Sequence, residues 1–239
     1  MTDTQHMMKN VNRWDLSTTP DPDGIDIWDG YQGQVELGEE TYAYRAWNGQ
    51  EISGKFIAVD TETVCLDADS IKREIPRMVI AQASGEDPDD NYIVHPDDLS
   101  WFLHVHGDRD LVFFNIAFDV PVMCRELDGF GSDGAEILWK MVDEGRCHDV
   151  MLLDQLVRIG GEDSRCHRRS LARVTRDRLG VELEKEGTPR YQYGTLLRKN
   201  YRGVRSEFYD YAVRDSRATY RCFQGLWRTA WDLHRRIQD

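Results

Sequence analysis

The sequence lacks the features that would place the protein in a membrane or outside the cell. None of its apolar runs approaches the roughly 18 residues of a transmembrane helix, and the polar amino terminus has no signal-peptide core. The five cysteines are an odd number, widely spaced and without a CxxC pair, which is typical of reduced thiols rather than of a disulfide framework. These absences predict a cytoplasmic protein that binds no membrane.

The chain has 239 residues, enough for one domain with an extension, or for two small domains, around a sizeable core. Its formal net charge of −13 argues by itself against nucleic-acid binding. The charge is unevenly distributed, however, because residues 1–157 contain 11 Lys and Arg against 32 Asp and Glu, whereas residues 158–239 contain 19 against 11. A basic half is expected if one face of the protein meets a polyanion, although a solvated surface gives the same pattern.

Apolar segments and helical patterns follow one another along the chain. Alternation predicts a β-hairpin between Val35 and Ala46, and apolar runs predict strands at residues 56–60, 78–83, 92–94 and 111–114. Amphipathic patterns predict helices at residues 96–105, 117–127, 135–142, 150–159, 171–179 and 207–237. This order favours an α/β fold with a central mixed β-sheet flanked by α-helices. We expect residues 1–54 to form an N-terminal extension and residues 55–239 to form the main domain.

The segment that begins at Phe56 carries the first chemical signal. Its apolar residues are typical of a buried strand, and the strand continues directly into Asp60 and Glu62. Side chains alternate across a strand, so these two carboxylates project to one face, about 7 Å apart along the chain. Two anions on a buried strand are costly unless a cation neutralises them, whereas a solvated strand end would carry the same residues without function.

Two later segments carry further acids. Asp119 lies in the first turn of the helix that follows the strand at residues 111–114, where the helix dipole favours an acid whatever its function. Tyr211 and Asp215 are four residues apart on the last helix, so the phenol and the carboxylate share one face. If the strands are neighbours, Asp119 is in a position to face the Asp60 and Glu62 pair.

Together, the three segments resemble the DEDD superfamily of 3′-to-5′ exonucleases, in the subgroup with tyrosine in its last motif. The first motif is Asp60-Thr61-Glu62, the second runs from Asn115 to Asp119, and the third is Tyr211-x-x-x-Asp215. The resemblance covers roughly residues 55–225 and extends to the proofreading domain of family A DNA polymerases and to ribonuclease D. It implies a ribonuclease H-like fold and a hydrolase that removes nucleotides from a 3′ end.

The resemblance also implies a cofactor and roles for the motif residues. Two divalent cations, Mg²⁺ or Mn²⁺, would be held by Asp60, Glu62, Asp119 and Asp215, since both metals prefer oxygen ligands. Such a cation pair, about 3.5–4 Å apart, activates a water and stabilises the leaving oxygen of a phosphodiester. Tyr211 would orient the attacking water. The residues implied to contact the terminal nucleotides are Thr61, Thr63, Leu66, Asn115 and Phe118.

Several alternatives remain open from the sequence. The favoured substrate is single-stranded DNA or a frayed 3′ end, with a replication or repair protein as a possible partner; an RNA-trimming enzyme of ribonuclease D type fits nearly as well. A non-catalytic nucleic-acid-binding accessory module is the alternative from another class. Zinc would require Cys147-His148 and Cys166-His167, but adjacent Cys and His do not easily reach one tetrahedral ion. The chain is either a free-standing enzyme or part of a larger protein.

Overall fold

A computed structural model describes residues 20–64, 74–129, 133–161, 169–183 and 192–238 of the chain. Seven strands form one mixed sheet in the order β1-β2-β5-β4-β3-β6-β7. The β2/β5, β3/β6 and β6/β7 pairs are parallel and the others are antiparallel. The strands are β1 (Gln32–Leu37), β2 (Glu40–Ala46), β3 (Phe56–Thr63), β4 (Met78–Ser84), β5 (Asn91–Val94), β6 (Asp110–Phe113) and β7 (Cys147–Asp149).

The described residues form seven α-helices around the sheet, and the last of them is by far the longest. Short 3₁₀ turns precede β1 and the first helix, at Ile27–Asp29 and Pro96–Asp98. None of the helices in the described ranges is both long and apolar enough to cross a membrane. The helices are α1 (Leu99–Val105), α2 (Ile116–Gly129), α3 (Gly134–Asp143), α4 (Val150–Gly161), α5 (Leu171–Leu179), α6 (Gly194–Arg198) and α7 (Glu207–Gln238).

The sheet separates two apolar layers, and the alternation of β3 divides its side chains between them. Ile57 and Val59 pack in a cluster with α1, α2 and α3. Ala58 points the other way, into a cluster with α4, α5 and the second half of α7. The first half of α7 covers the rest of that face, together with α6, and packs against apolar residues of the β1–β2 hairpin. By this alternation, Asp60 and Glu62 project to the α7 side and Thr61 projects to the α2 side.

The predicted α/β class and the predicted hairpin are confirmed, and the helix predicted at residues 171–179 has those bounds. Two elements were not predicted. The strand β7 has only three residues, Cys-His-Asp, and no apolar alternation, while α6 is a single five-residue turn. The hairpin is part of the central sheet because β2 pairs with β5. The division of the chain at residue 54 stays a prediction.

Candidate metal centre

The strand β3 supplies two carboxylates to the face of the sheet that α7 covers. Residues 57–59 are fully buried, as expected for a strand between two helical layers, and this fixes the register of the acidic residues that follow. Glu62 is 8% exposed, while Asp60 is half-buried. Asp60 lies opposite Gln82 of β4, whose side-chain amide donates a hydrogen bond to Asp60 Oδ2 over 2.5 Å.

Asp215 joins this pair from the third turn of α7. One carboxylate oxygen from each of Asp60, Glu62 and Asp215 lies within 4.8 Å of the other two. Within the described ranges, these residues form the one group of three or more potential ligands that meets this distance. Three carboxylates at this separation repel one another, and an oxygen-only donor set suits a hard divalent cation such as Mg²⁺ or Mn²⁺. The donor chemistry therefore fits a cation at this position.

Asp119 lies at the edge of β3, beyond the end of β6 and against Thr61, and it is not part of the group of three carboxylates. Its Oδ1 accepts hydrogen bonds from the Thr61 hydroxyl at 2.7 Å and from the Thr61 backbone N–H at 3.2 Å. β6 pairs with β3 only as far as Ala58, so the carboxylate takes the position that a continuing strand would occupy. Burial raises the pKa of Asp119 to about 7, against the effect of the two Thr61 bonds, and the charge of Asp149 adds to the rise.

Asp149 holds the segment that contains the second motif, a role that the sequence did not predict. Its carboxylate accepts from the backbone N–H groups of Asn115 and Ile116 at 3.3 and 3.0 Å, at the start of α2. It also accepts from those of Met151 and Leu152 at 2.8 and 3.2 Å, at the start of α4. One side chain thus caps two helices. An Asp directly before an amphipathic helix is the sequence signal of such a cap.

Two tyrosines lie near the carboxylates. Tyr211 is half-buried one helical turn before Asp215, as the sequence predicted. Tyr193 is fully buried, and its hydroxyl donates to the Phe208 carbonyl over 2.7 Å. Burial, together with the nearby charges of Glu62, Asp215 and Asp60, raises the pKa of Tyr193 well above its usual range. Tyr193 is therefore a buried neighbour of the carboxylate cluster.

The residues implied to contact nucleotides differ in how accessible they are. Phe118 is 40% exposed on the first turn of α2, and Asn115, with a left-handed φ of 72°, is half-buried immediately before that helix. Thr63 is half-buried at the end of β3, whereas Thr61 is buried with its hydroxyl bound to Asp119. Leu66 lies outside the described residues.

The alternative zinc ligands can be placed only in part, because Cys166 and His167 lie outside the described residues. His148 contacts Asp110 at 3.0 Å, and its ring packs against Phe56 and Trp227. Burial raises the pKa of the Cys147 thiol to about 11. Cys147 and His148 thus belong to the edge strand β7, where His148 packs against its neighbours.

Comparisons with known proteins identify the fold. No family model and no curated protein sequence matches the chain. The chain is similar to the EXO domain of Nibbler from Aedes aegypti, with 16% identity over 75% of this chain and 80% of that one, at a TM-score of 0.51. It is also similar to RNase D of Trypanosoma brucei, with 19% identity over 72% of this chain and 57% of that one, at a TM-score of 0.50. The likeness confirms the predicted ribonuclease H-like fold.

Proposed function

We propose that this protein is a metal-dependent 3′-to-5′ exonuclease of the DEDD type with a tyrosine in its third motif. The observation that carries the proposal is the convergence of Asp60, Glu62 and Asp215 within 4.8 Å of one another. These residues come from β3 and from α7, about 150 positions later in the chain, and they belong to the first and third motifs. The similarity in fold to an exonuclease domain and to an RNase D supports the same proposal.

The carboxylates are assigned to two divalent cations. Asp60, Glu62 and Asp215 would hold one, and Asp60 with Asp119, partly through water, would hold the other. The cations would generate a nucleophilic water and stabilise the leaving 3′-oxygen of the phosphodiester. Thr61 contributes by fixing the Asp119 carboxylate with two hydrogen bonds. Isothermal titration with Mn²⁺ measures the stoichiometry, for which we expect two ions per chain.

Tyr211 is assigned to the nucleophilic water. It shares a helix face with Asp215, so its hydroxyl is held on the side of α7 from which the cluster receives its third carboxylate. Phe118 offers an exposed ring at the rim, suited to contact with a base or sugar. Thr63, Leu66 and Asn115 are assigned to the remaining contacts with the terminal nucleotides, whereas Thr61 is buried against Asp119 and contributes through that carboxylate. These residues do not include a set of side chains that reads the edges of all four bases, so we expect little sequence preference.

The proposed substrate is the 3′ end of single-stranded or frayed DNA, in the cytoplasm and alongside replication or repair proteins. RNA is the second candidate, because one of the similar structures is an RNase D. A non-catalytic module is the third. An accessory module has no need for three carboxylates that repel one another, so their retention argues for catalysis.

The test of substrate class is a comparison of 5′-labelled oligonucleotides that carry one sequence as single-stranded DNA, paired DNA, DNA with a mispaired 3′ end, and RNA. Each is incubated with Mg²⁺ or Mn²⁺ and resolved to single nucleotides. We expect ladders that shorten from the 3′ end, fastest on single-stranded or mispaired DNA. Faster shortening of RNA selects the second candidate. Uncut substrates in every arm, with binding retained, select the third.

A further inference from the structure

Gln82 is a polar residue in the middle of a fully buried strand. β4 has the sequence Met-Val-Ile-Ala-Gln-Ala-Ser and is buried along its whole length, between β3 and β5. Gln82 itself has no exposed surface. Ile80, two residues earlier, packs in the cluster under α7, so Gln82 projects to that same side, where the carboxylates meet. Burying a carboxamide costs free energy unless its donors and acceptor are satisfied.

The hydrogen bonding of Gln82 is one-sided. Its Nε2 donates to Asp60 Oδ2, while its Oε1 is buried with no hydrogen-bond partner among the described residues. A glutamine retained for stability would use both ends of its amide, and an apolar side chain of similar size would fill this position without the orphaned oxygen. The amide therefore makes the hydrogen bond to Asp60 but leaves a buried oxygen unsatisfied, which lowers the stability of the strand.

We propose that Gln82 is a positioning residue for the cation site, holding the Asp60 carboxylate through Oδ2 so that Oδ1 stays directed to the cation shared with Glu62 and Asp215. This inference rests on the proposed function. The amide N–H restricts rotation of the carboxylate, because Gln82 is itself held between two neighbouring strands. Partners of this kind are worth about 10- to 100-fold in metal affinity.

The test is the affinity of the metal-free protein for Mn²⁺, measured by isothermal titration in the wild type, in Gln82→Met and in Thr175→Ala. Methionine keeps the length of the side chain and removes the donor. Thr175→Ala is the control, since it removes a buried hydroxyl whose partner is Cys222 and not a residue of the cation site. We expect the Mn²⁺ dissociation constant to rise about tenfold in Gln82→Met and to stay unchanged in Thr175→Ala.

Thermal unfolding of the same metal-free proteins separates positioning from packing. We expect Gln82→Met to unfold within a few degrees of the wild type. Unchanged Mn²⁺ affinity in Gln82→Met would overturn the inference, and so would an equal loss of affinity in both variants. Absence of Mn²⁺ binding by the wild type would contradict the proposed function itself.

A second measurement uses only the wild type and serves if Gln82→Met does not fold. In a crystal structure with Mn²⁺, we expect Gln82 Nε2 to donate to one oxygen of Asp60 while the other oxygen binds the ion shared with Glu62 and Asp215. An Asp60 carboxylate that binds this ion with Gln82 turned away from it would overturn the inference.

Discussion

At the scale of single residues, the three clustered carboxylates favour metal binding and lower the stability of the metal-free protein. Asp60, Glu62 and Asp215 place like charges within 4.8 Å, and Glu62 is almost fully buried. In the metal-free protein this repulsion destabilises the fold, and a bound cation removes it. The site therefore predicts a stability effect that is opposite in sign with and without metal.

The variant Asp215→Asn tests this effect. We expect it to raise the free energy of unfolding by about 1 kcal/mol in EDTA, equivalent to about 3 °C in Tm, and to abolish the stabilisation by Mn²⁺. The control is Asp232→Asn, which makes the same change of charge on an exposed turn of the same helix. Thermal unfolding in EDTA and in Mn²⁺ measures both effects. A drop in stability for Asp215→Asn in EDTA would contradict the account of the site.

The phenol of Tyr211 is expected to affect the reaction and not the binding of metal. Replacement by phenylalanine removes only the hydroxyl proposed to orient the attacking water. We expect Tyr211→Phe to bind Mn²⁺ as the wild type does and to lower kcat about 100-fold. The matched control is Tyr209→Phe, because the Tyr209 hydroxyl is buried with no hydrogen-bond partner among the described residues. An unchanged kcat for Tyr211→Phe would exclude the proposed role.

At the scale of elements, α7 carries the third motif and is fixed to the sheet close to Asp215. The Arg217 guanidinium is buried and donates to Asn91 Oδ1 at 2.7 Å, to the Gly85 carbonyl at 2.9 Å and to the Asp87 carbonyl at 3.0 Å. The β4–β5 connection that it binds is continuous with the strand that carries Gln82. This attachment holds the carboxylate of α7 in register with those of β3.

The helices α2 and α4 are coupled through Asp149. Because its carboxylate caps both, Asp149→Ala removes four backbone hydrogen bonds together with a favourable charge at two helix N-termini. We expect a loss of about 2–3 kcal/mol in the free energy of unfolding, measured by urea denaturation. The control Asp143→Ala removes an exposed Asp at the end of α3 and is expected to change stability by less than about 0.5 kcal/mol. Equal effects would show that Asp149 does not couple the helices.

At the scale of the whole molecule, the β1–β2 hairpin packs directly on the helix of the third motif. The Tyr44 hydroxyl donates to Asp210 Oδ1 at 2.6 Å, one residue before Tyr211, and Arg221 forms an ion pair with Glu40. Val35 and Leu37 are buried in the same cluster as Ala212. The hairpin thus packs against the part of α7 that carries Tyr211 and Asp215.

Removal of the hairpin tests this packing. We expect a chain that starts at Lys55 to expose the edge of β5 and the apolar face of α7, and to lose cooperative thermal unfolding. The control is a chain that starts at Pro20, which retains the hairpin and is expected to unfold cooperatively. Circular dichroism against temperature and binding of a hydrophobic dye compare the two. Cooperative unfolding of the shorter chain would show that residues 55–239 fold independently.

Much of this arrangement follows from local patterns in the sequence. The burial of residues 57–59 and the period of two place Asp60 and Glu62 on one face, and the period of α7 places Tyr211 beside Asp215. The position of Asp119 against Thr61 could not be predicted, because it depends on where β6 stops pairing with β3. The contact between Gln82 and Asp60 could not be predicted either, because it depends on the register of β3 and β4 and not on spacing along the chain.

Some arginines in the basic half of the chain form buried ion pairs, so the number of basic residues does not by itself predict a nucleic-acid-binding surface. Arg158, Arg169 and Arg178 all bind the fully buried carboxylate of Asp154, so these three cations serve the packing of α4 and α5. The excess of arginine after residue 157 is therefore not wholly available to a polyanion. Charge asymmetry along a sequence reports on buried ion pairs as well as on binding surfaces.

The carboxylates of β3 and α7 are proposed to hold the cations with which the protein degrades nucleic acid from its 3′ end. The most direct test compares the wild type with Asp60→Ala on one 5′-labelled single-stranded oligonucleotide, with Mn²⁺ and with EDTA. We predict a ladder of 3′-shortened products for the wild type in Mn²⁺ only, and at least about a 100-fold slower reaction for Asp60→Ala. Shortening by Asp60→Ala at the wild-type rate, or undiminished shortening in EDTA, would contradict the account.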